Sequence, residues 1–242
     1  MQYIKGLDAF DGRNQTAVTL GKFDGLHRGH QKLLNRIMKY AQKEDCDSVV
    51  CAFDMDRDCL MTNEERRAFL EDKVDYLIEI PFTREMMEME AEKFIEEILY
   101  KKLHASHIVV GTDFNFGHEK RGNHQMLEKY AAKYGYTVDV VEKAYYKDRE
   151  ISSTYIRELL LDGNVPLANE LLGYPYHQRC GTWTAAWKNT WISDNESCTA
   201  GKENPAKVRC LCLSRSCGWC MVWRCGKCRG ETDRCAREKT VV

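Results

Sequence analysis

Between Thr16 and Val141, five short runs rich in β-branched residues alternate with longer stretches of helical spacing. This alternation constrains the fold more than any other feature. The runs are TAVTL (Thr16–Leu20), SVVCAF (Ser48–Phe53), YLIEI (Tyr76–Ile80), HIVVG (His107–Gly111) and TVDVV (Thr137–Val141). Between them, Gly29–Gln42 sets Leu33, Leu34, Ile37 and Ala41 on one helical face, and Glu90–Leu103 does the same with Phe94, Ile98 and Leu99. A third helix is expected near Asn123–Tyr134. Strands that are almost wholly apolar and are separated by helices predict an α/β fold, a Rossmann-like doubly wound parallel sheet covered on both faces. Further on, Ser152 or Ser153 suits the N-cap of a helix reaching Leu161 and ended by Gly163, and Asn164–Leu172 reads as a short last helix.

In open sheets of this kind, ligands bind beyond the carboxyl ends of the strands. Three loops lie there: Gly21–Gly29, Thr112–Gly122 and Glu150–Arg157. In the first, Gly21, Gly25 and Gly29 let the main chain bend and approach a ligand closely. The helix that follows offers free N–H groups and a positive dipole end to a phosphate. His27 and His30, three residues apart, are placed to face that phosphate as cationic or N–H-donating imidazoles. The plainer alternative is a glycine-rich turn with two surface histidines. The loop lacks the Gly-Lys-Ser/Thr ending of a Walker A motif, and Lys22-Phe23 after Gly21 breaks a dinucleotide G-x-G-x-x-G. Two histidines alone are too few ligands for zinc. The third loop brings the hydroxyls of Ser152, Ser153 and Thr154 together with Arg157, a combination that suits a polyphosphate and exceeds what N-capping needs. The middle loop adds Gly111, Asp113 and two aromatics, Phe114 and Phe116, which fit either a core or a ligand pocket.

The stretches "GKFDGLHRGHQKLL", "VVGTDFNFG", "ISSTYIRELL" and "ANELLGYPY" resemble, in this order, the amino-terminal module of bacterial bifunctional riboflavin kinase/FMN adenylyltransferase, or FAD synthetase. The resemblance implies transfer of AMP from ATP to FMN, with FAD and pyrophosphate as products and Mg²⁺ accompanying ATP. By it, His27 and His30 contact the ATP phosphates and stabilise the transition state. Gly21, Phe23, Asp24 and Gly25 shape the nucleotide loop, and Ser153, Thr154 and Arg157 hold the triphosphate end, with Arg157 counted among the catalytic groups. Gly111 and Asp113 join the nucleotide site, and Phe114 and Phe116 the flavin site. One departure is that "DMDRD" follows Phe53, where the family often has a Pro-His-Pro stretch. Two other readings remain open: another H-x-G-H nucleotidyltransferase, such as a pantetheine-phosphate or cytidylyl enzyme, or a flavin- or nucleotide-binding protein without turnover.

The composition breaks at His177. All 8 Phe and all 12 Tyr precede it, whereas all 5 Trp and 9 of the 12 Cys follow it. Residues 1–176 are therefore expected to form the adenylyltransferase domain, and 177–242 an aberrant, poorly structured tail in place of the riboflavin kinase β-barrel that the resemblance implies. Trp183, Trp187 and Trp191 recur every four residues. Trp has a single codon, TGG, so a reading frame moved one base forward turns each into glycine. Suitable codons for Arg179–Glu196 then give a string ending "GFPTMN", the nucleotide-binding stretch of the kinase. The tail is thus expected to be a frameshifted kinase module without kinase activity. A zinc site at Cys217-x2-Cys220 and Cys225-x2-Cys228 is disfavoured by the short segment between the pairs.

The first segment carries an acidic excess, 24 Lys+Arg against 31 Asp+Glu, and the tail is basic, 12 against 6, but without a basic helix or stacking platform. No nucleic-acid partner is expected. Met1–Leu20 lacks the uninterrupted apolar core of a secretory signal, and no run approaches the roughly 20 apolar residues of a membrane span. The expectation is a cytoplasmic protein that uses no membrane.

Overall fold

The computed structural model describes residues 1–54, 59–176, 178–179, 209–212 and 219–223. The chain divides into two compact units, Met1–Ser153 and Thr154–Val242.

The first unit is built on a six-stranded parallel sheet. Its strands are β1 Gln2–Lys5, β2 Thr16–Gly21, β3 Asp47–Asp54, β4 Tyr76–Pro81, β5 Ala105–Gly111 and, after the two-residue strands β6 Asn115–Phe116 and β7 Gly122–Asn123, β8 Thr137–Val141. Their order is β1-β4-β3-β2-β5-β8, and every pair in it is parallel. From β2 the chain moves outward through β3 to β4, then returns to β5 on the other side of β2 and continues to β8. This is the doubly wound arrangement that the alternation predicts, and its switch point lies between β2 and β5, where the carboxyl ends of the strands leave a crevice. A small antiparallel hairpin, β9 Tyr145–Tyr146 with β10 Arg149–Glu150, leads on to Ser153.

One face of the sheet packs Val18, Leu20, Val49, Cys51, Ile78, Ile80, Ile108 and Val110 against Phe94, Ile95 and Leu99. On the other, α1 (Arg28–Glu44) lies across β2, β3 and β5 and buries Leu34 and Ile37. The remaining helices of this unit are α2 Asn63–Leu70, α3 Arg84–Glu88, α4 Ala91–Lys93 and α5 His124–Tyr134. The helix expected over Glu90–Leu103 differs in kind from a plain α-helix. After α4 it passes into π-type pairing over Phe94–Lys102, which ends with the Leu103 N–H donating to the Ile98 carbonyl at 2.9 Å. The wider turn directs Phe94, Ile95 and Leu99 inward and leaves Ile98 half-buried.

Among the elements not expected from the sequence are β1 and α2. In β1 only Ile4 is buried, so four residues carry almost no periodic signal. Helix α2 starts from a capping box: the Thr62 hydroxyl accepts the Glu65 N–H at 3.2 Å, and the Glu65 carboxylate accepts the Thr62 N–H at 2.9 Å.

In the second unit, α6 (Ser153–Leu161, beginning on the last residue of the first unit) buries Ile156, Leu159 and Leu160, and α7 (Val165–Leu172) buries Ala168, Leu171 and Leu172. Asn164 caps α7 by accepting the Leu167 N–H at 3.4 Å, and Gly173, at φ 81°, ends it. The tail contains a three-stranded antiparallel sheet in its described segments: β11 Gln178–Arg179, β13 Trp219–Trp223 and β12 Arg209–Cys212, in that order. Cys220 falls in β13. Trp183, Trp187, Trp191, Cys217, Cys225 and Cys228, and most of the stretch expected to be a frameshifted kinase module, lie outside the described residues, as do Met55–Asp58 of the departure after Phe53.

Candidate active site

The loop that leaves β2 at the switch point is short and tightly wound. Phe23 is left-handed at φ 49°, Gly25 follows at φ 74° and Leu26 at φ 36°, so the chain doubles back before α1 begins. Such φ values cost a side-chain-bearing residue about 1–2 kcal/mol; burial of the Phe23 and Leu26 side chains, both fully enclosed, offsets this. Asp24 ties the loop down on two sides. Its Oδ1 accepts the Leu60 N–H at 2.6 Å, and its carbonyl accepts the Ser153 hydroxyl at 2.8 Å. The Gln31 amide also bonds back, donating to the Leu26 carbonyl at 2.8 Å.

His27 and His30 stand where this loop meets the first turn of α1. Their rings stack with centroids 3.8 Å apart and planes 23° apart, and the Phe23 ring lies 5.2 Å from that of His30. His27 is 7% exposed, and His30 is half-buried. Burial lowers the His27 pKa to about 4. Burial lowers that of His30 as well, and the neighbouring His27 and Arg66 charges lower it further. Of the two protonation states considered from sequence, the ligand-free site therefore selects the neutral one. The Nδ1 atoms of both rings are buried without a hydrogen-bond partner. An unmet acceptor costs less than an unmet N–H, so the favoured tautomer keeps its proton on Nε2. The first residues of α1, Arg28, Gly29 and His30, add backbone N–H groups that no helical carbonyl satisfies.

Gly29 leaves room for the histidine two residues before it: a Cβ there would sit 3.0 Å from His27 Nδ1 and 3.1 Å from its Cε1, so the ring would have to give by a few tenths of an ångström. At Gly21 a Cβ would meet the Phe23 ring at 3.4 Å, an ordinary contact that glycine does not strictly require.

The other two loops border this one through the segment 142–153. Lys143 bridges Asp113 Oδ2 at 3.0 Å and Glu150 Oε2 at 2.8 Å, an arrangement that raises the lysine pKa, Glu150 contributing most. The Lys32 ammonium lies 3.5 Å from the Glu142 carbonyl and 3.4 Å from that of Lys143. In the middle loop, Gly117 at φ 73° presses on Ala91, and the His118 N–H donates to the Met89 carbonyl at 2.7 Å. Phe116 is 6% exposed and packs in the core beside Phe94, ring centroids 5.3 Å apart. Phe114 is half-buried and lies 5.5 Å from Phe116.

The sequence-predicted residues Gly21, Phe23, Asp24, Gly25, His27, His30 and Ser153 are thus brought together, and Gly111 and Asp113 lie on the adjoining loop. Thr154 and Arg157 belong to the second unit, on α6. Arg66 and Lys143 were missed from the sequence. The Thr62–Glu65 capping box was a signal for the helix that carries Arg66, whereas nothing local marks Lys143. No group of three or more His, Cys, Asp or Glu among the described residues is placed to hold a metal ion.

Residues 10–155 match the FAD synthetase family. Bifunctional riboflavin kinase/FMN adenylyltransferases resemble the chain over much of its length. That of Buchnera aphidicola (subsp. Schizaphis graminum) is 33% identical over 189 residues, covering 73% of this chain and 61% of its own. That of Haemophilus influenzae is 35% identical over 188 residues, with the same coverages of 73% and 61%. The Escherichia coli K12 protein is 31% identical, with 73% and 60% covered. The chain therefore spans about 60% of the length of these relatives. In structure, a Streptococcus pneumoniae protein described as a macrolide-efflux protein aligns with a TM-score of 0.65 at 28% identity, covering 74% of this chain and 64% of that one. No described helix here is long and apolar enough to cross a membrane. With its family model matched over residues 10–155 on a doubly wound sheet, the chain belongs to the FAD synthetase family.

Proposed function

We propose that residues 1–176 transfer AMP from ATP to FMN, releasing pyrophosphate and forming FAD. The observation that carries this reading is the pair of neutral, stacked imidazoles at the amino terminus of α1, on a loop anchored through Asp24 at a sheet switch point. An FMN phosphate oxygen attacks the α-phosphorus of ATP in line with the bridging oxygen to the β-phosphate. The new P–O bond forms as the old one breaks, and the electron pair leaves on pyrophosphate. A phosphate monoester is largely ionised near neutral pH, so no strong general base is required. Catalysis reduces to alignment and to stabilising the charge that builds on the phosphates. His27 and His30 donate from Nε2, the α1 N–H groups add to them, and the buried setting strengthens each interaction.

The descent of Mg²⁺ into this site is part of the same reading. Mg²⁺ is usually held by one or two carboxylates, waters and substrate phosphates rather than by a protein cage. Bound with ATP, it would offset part of the triphosphate charge. Thr154 and Arg157 enter as triphosphate-holding residues from their motif, and Arg157 is the group expected to meet the leaving pyrophosphate. Of the two candidate flavin contacts, Phe114 is half-buried and Phe116 is buried. Riboflavin kinase activity is not expected of this chain.

The purified chain, given ATP, Mg²⁺ and FMN, should release pyrophosphate only when FMN is present. His30→Ala should lower turnover by about 10²–10³-fold, the scale of one lost oxyanion donor. Pyrophosphate release with 4′-phosphopantetheine or a CTP-dependent acceptor instead of FMN would assign a different H-x-G-H transferase, and FMN binding without release would assign a binding protein.

A further inference from the structure

Lys143 stands where the middle loop meets the β9–β10 hairpin, and its ammonium holds both. Beyond the carboxyl end of β5 the chain makes a tight turn, in which the Phe114 N–H donates to the Gly111 carbonyl at 3.1 Å. The Asn115 side-chain amide firms this turn by donating to the Asp113 carbonyl at 2.8 Å. Gly111 leaves room for the Asp113 carboxylate to fold back, since a Cβ at 111 would sit 3.1 Å from Asp113 Oδ1. The other oxygen, Oδ2, is 3.0 Å from Lys143 Nζ, which also takes the Glu150 carboxylate at 2.8 Å. The sheet register favours the pairing. Gly111 and Val141 are partners at the ends of β5 and β8, so Asp113 and Lys143 each lie two residues beyond the same row.

The segment that carries Lys143 is in turn fixed to the histidine loop. The Lys32 ammonium of α1 lies 3.4 Å from the Lys143 carbonyl. The Ile151 carbonyl comes within 3.7 Å of where a Gly29 Cβ would stand, beside the glycine that the His27 ring crowds. The Ser153 hydroxyl donates to the Asp24 carbonyl at 2.8 Å. Between these contacts the hairpin is closed by the Ile151 N–H donating to the Ala144 carbonyl at 2.8 Å. The far end of the middle loop is held elsewhere, through the His118 N–H on the Met89 carbonyl. At its near end, the Asp113–Lys143 ion pair ties it to a frame that already carries His27.

We propose that Lys143 is a positioning residue for Asp113, a latch that draws the near end of the middle loop onto the frame of the histidine loop and sets the width of the crevice between them. The inference rests on the reading of this crevice as the nucleotide site, but not on which acceptor receives the AMP. The Asp113 side chain is 65% exposed and that of Lys143 26%, so the latch is wetted and weak. A pair of this kind shifts an open–closed balance by about fivefold at most. That strength suits a tie that parts when a substrate enters and re-forms behind it. Two carboxylates on one ammonium leave the cluster with a net negative charge, which favours the role of a tie over that of a phosphate ligand for Lys143 itself.

The test is backbone hydrogen exchange in the ligand-free full chain, read over residues 112–117 and over the sheet. At low ionic strength, Lys143→Gln should speed exchange in 112–117 by about two- to fivefold and leave β2, β3 and β5 unchanged. Asp113→Asn, which removes the other half of the pair, should give the same rise, and the double variant no more than either alone. Lys143→Arg keeps the charge and should retain wild-type exchange. Salt at about 1 M, where the screening length is about 3 Å, should bring the wild type to the level of Lys143→Gln. With ATP, Mg²⁺ and FMN, Lys143→Gln should raise the KM for ATP by about two- to fivefold, with most of the change in KM rather than kcat. Should Lys143→Gln fail to fold, Asp113→Asn and the salt series decide. Unchanged exchange in 112–117, a rise spread equally over the sheet, or an unchanged KM in an active Lys143→Gln chain would each overturn the inference. Absence of FAD formation by the wild type would instead strike the proposed reaction, and leaves the exchange result standing.

Discussion

The Asp24 carboxylate accepts the backbone N–H of Leu60 at 2.6 Å, across 36 positions of chain, inside a buried turn. Through this bond and the Ser153 hydroxyl on its carbonyl, Asp24 joins the Gly21–Gly29 loop to the entry of α2 and to Ser153. The family resemblance assigns Asp24 to shaping the nucleotide loop; in the structure it anchors the Gly21–Gly29 loop by bonding protein groups. Asp24→Ala leaves a buried N–H unmet, with an expected loss of about 1–3 kcal/mol in urea unfolding. Asp24→Asn keeps an oxygen acceptor and should lose less than half as much. Equal losses in the two variants would remove the hydrogen bond as the cause.

Gly29 separates activity from stability. In the first turn of α1, alanine is better by about 1 kcal/mol on helix propensity. Its Cβ would nonetheless meet the His27 ring at 3.0 Å, so that ring must give by a few tenths of an ångström. Gly29→Ala should therefore keep or raise the thermal midpoint while lowering kcat/KM by less than about 10²-fold, the scale of a full 1 Å misplacement. A variant equally active and equally stable would show that the ring has other room.

Much of this architecture is legible in the sequence because burial on both faces writes a parallel strand as an unbroken apolar run. All five expected strands are present; β8 has the expected bounds and the other four run one or two residues further, as β3 does at the paired Asp47 and Asp54. β1 was not legible, because an edge strand of four residues with one buried side chain writes almost nothing. The π pairing of Phe94–Lys102 was not legible either, since Phe94 and Ile98 fit one α-helical face in the sequence and only Phe94 is buried in the structure. At the site, the residues local to one loop were readable from glycine and histidine spacing. Arg66 and Lys143 were not, since each reaches the site from an element remote in sequence and neither belongs to a local motif. The protonation state of the histidines was left open for a similar reason: burial sets it, and spacing does not record burial.

Gly117 is where the middle loop tolerates least. At φ 73° an L side chain is strained, and a Cβ would come within 2.7 Å of the Ala91 Cα, a backbone atom that cannot rotate aside. Strain and overpacking together predict that Gly117→Ala destabilises the protein by about 2–4 kcal/mol. The measurement is the urea midpoint. As a control, alanine at Gly135, also left-handed at φ 74° but with open space around its Cβ, should cost only the conformational part.

The His27 site makes stability depend on pH in a set direction. Its pKa is lowered from 6.5 to about 4 by burial, so the unfolded chain binds the proton more readily than the folded one. The contribution is fully present above pH 6.5 and is lost as the pH falls towards 4. By linkage it amounts to about 3 kcal/mol at most. His27→Gln should flatten the stability profile in that window, and an unchanged profile would mean that His27 is not buried neutral. Binding reverses the sign of the coupling. A triphosphate beside the imidazoles favours their charged forms, so ATP should bind with proton uptake at neutral pH. Titration calorimetry in buffers of different ionisation enthalpy reads that uptake directly. The expected result is a net uptake of up to one proton per ATP that disappears in the His27→Gln, His30→Gln double variant. A buffer-independent heat in the wild type would mean that both rings stay neutral against the phosphates and act through N–H donation alone.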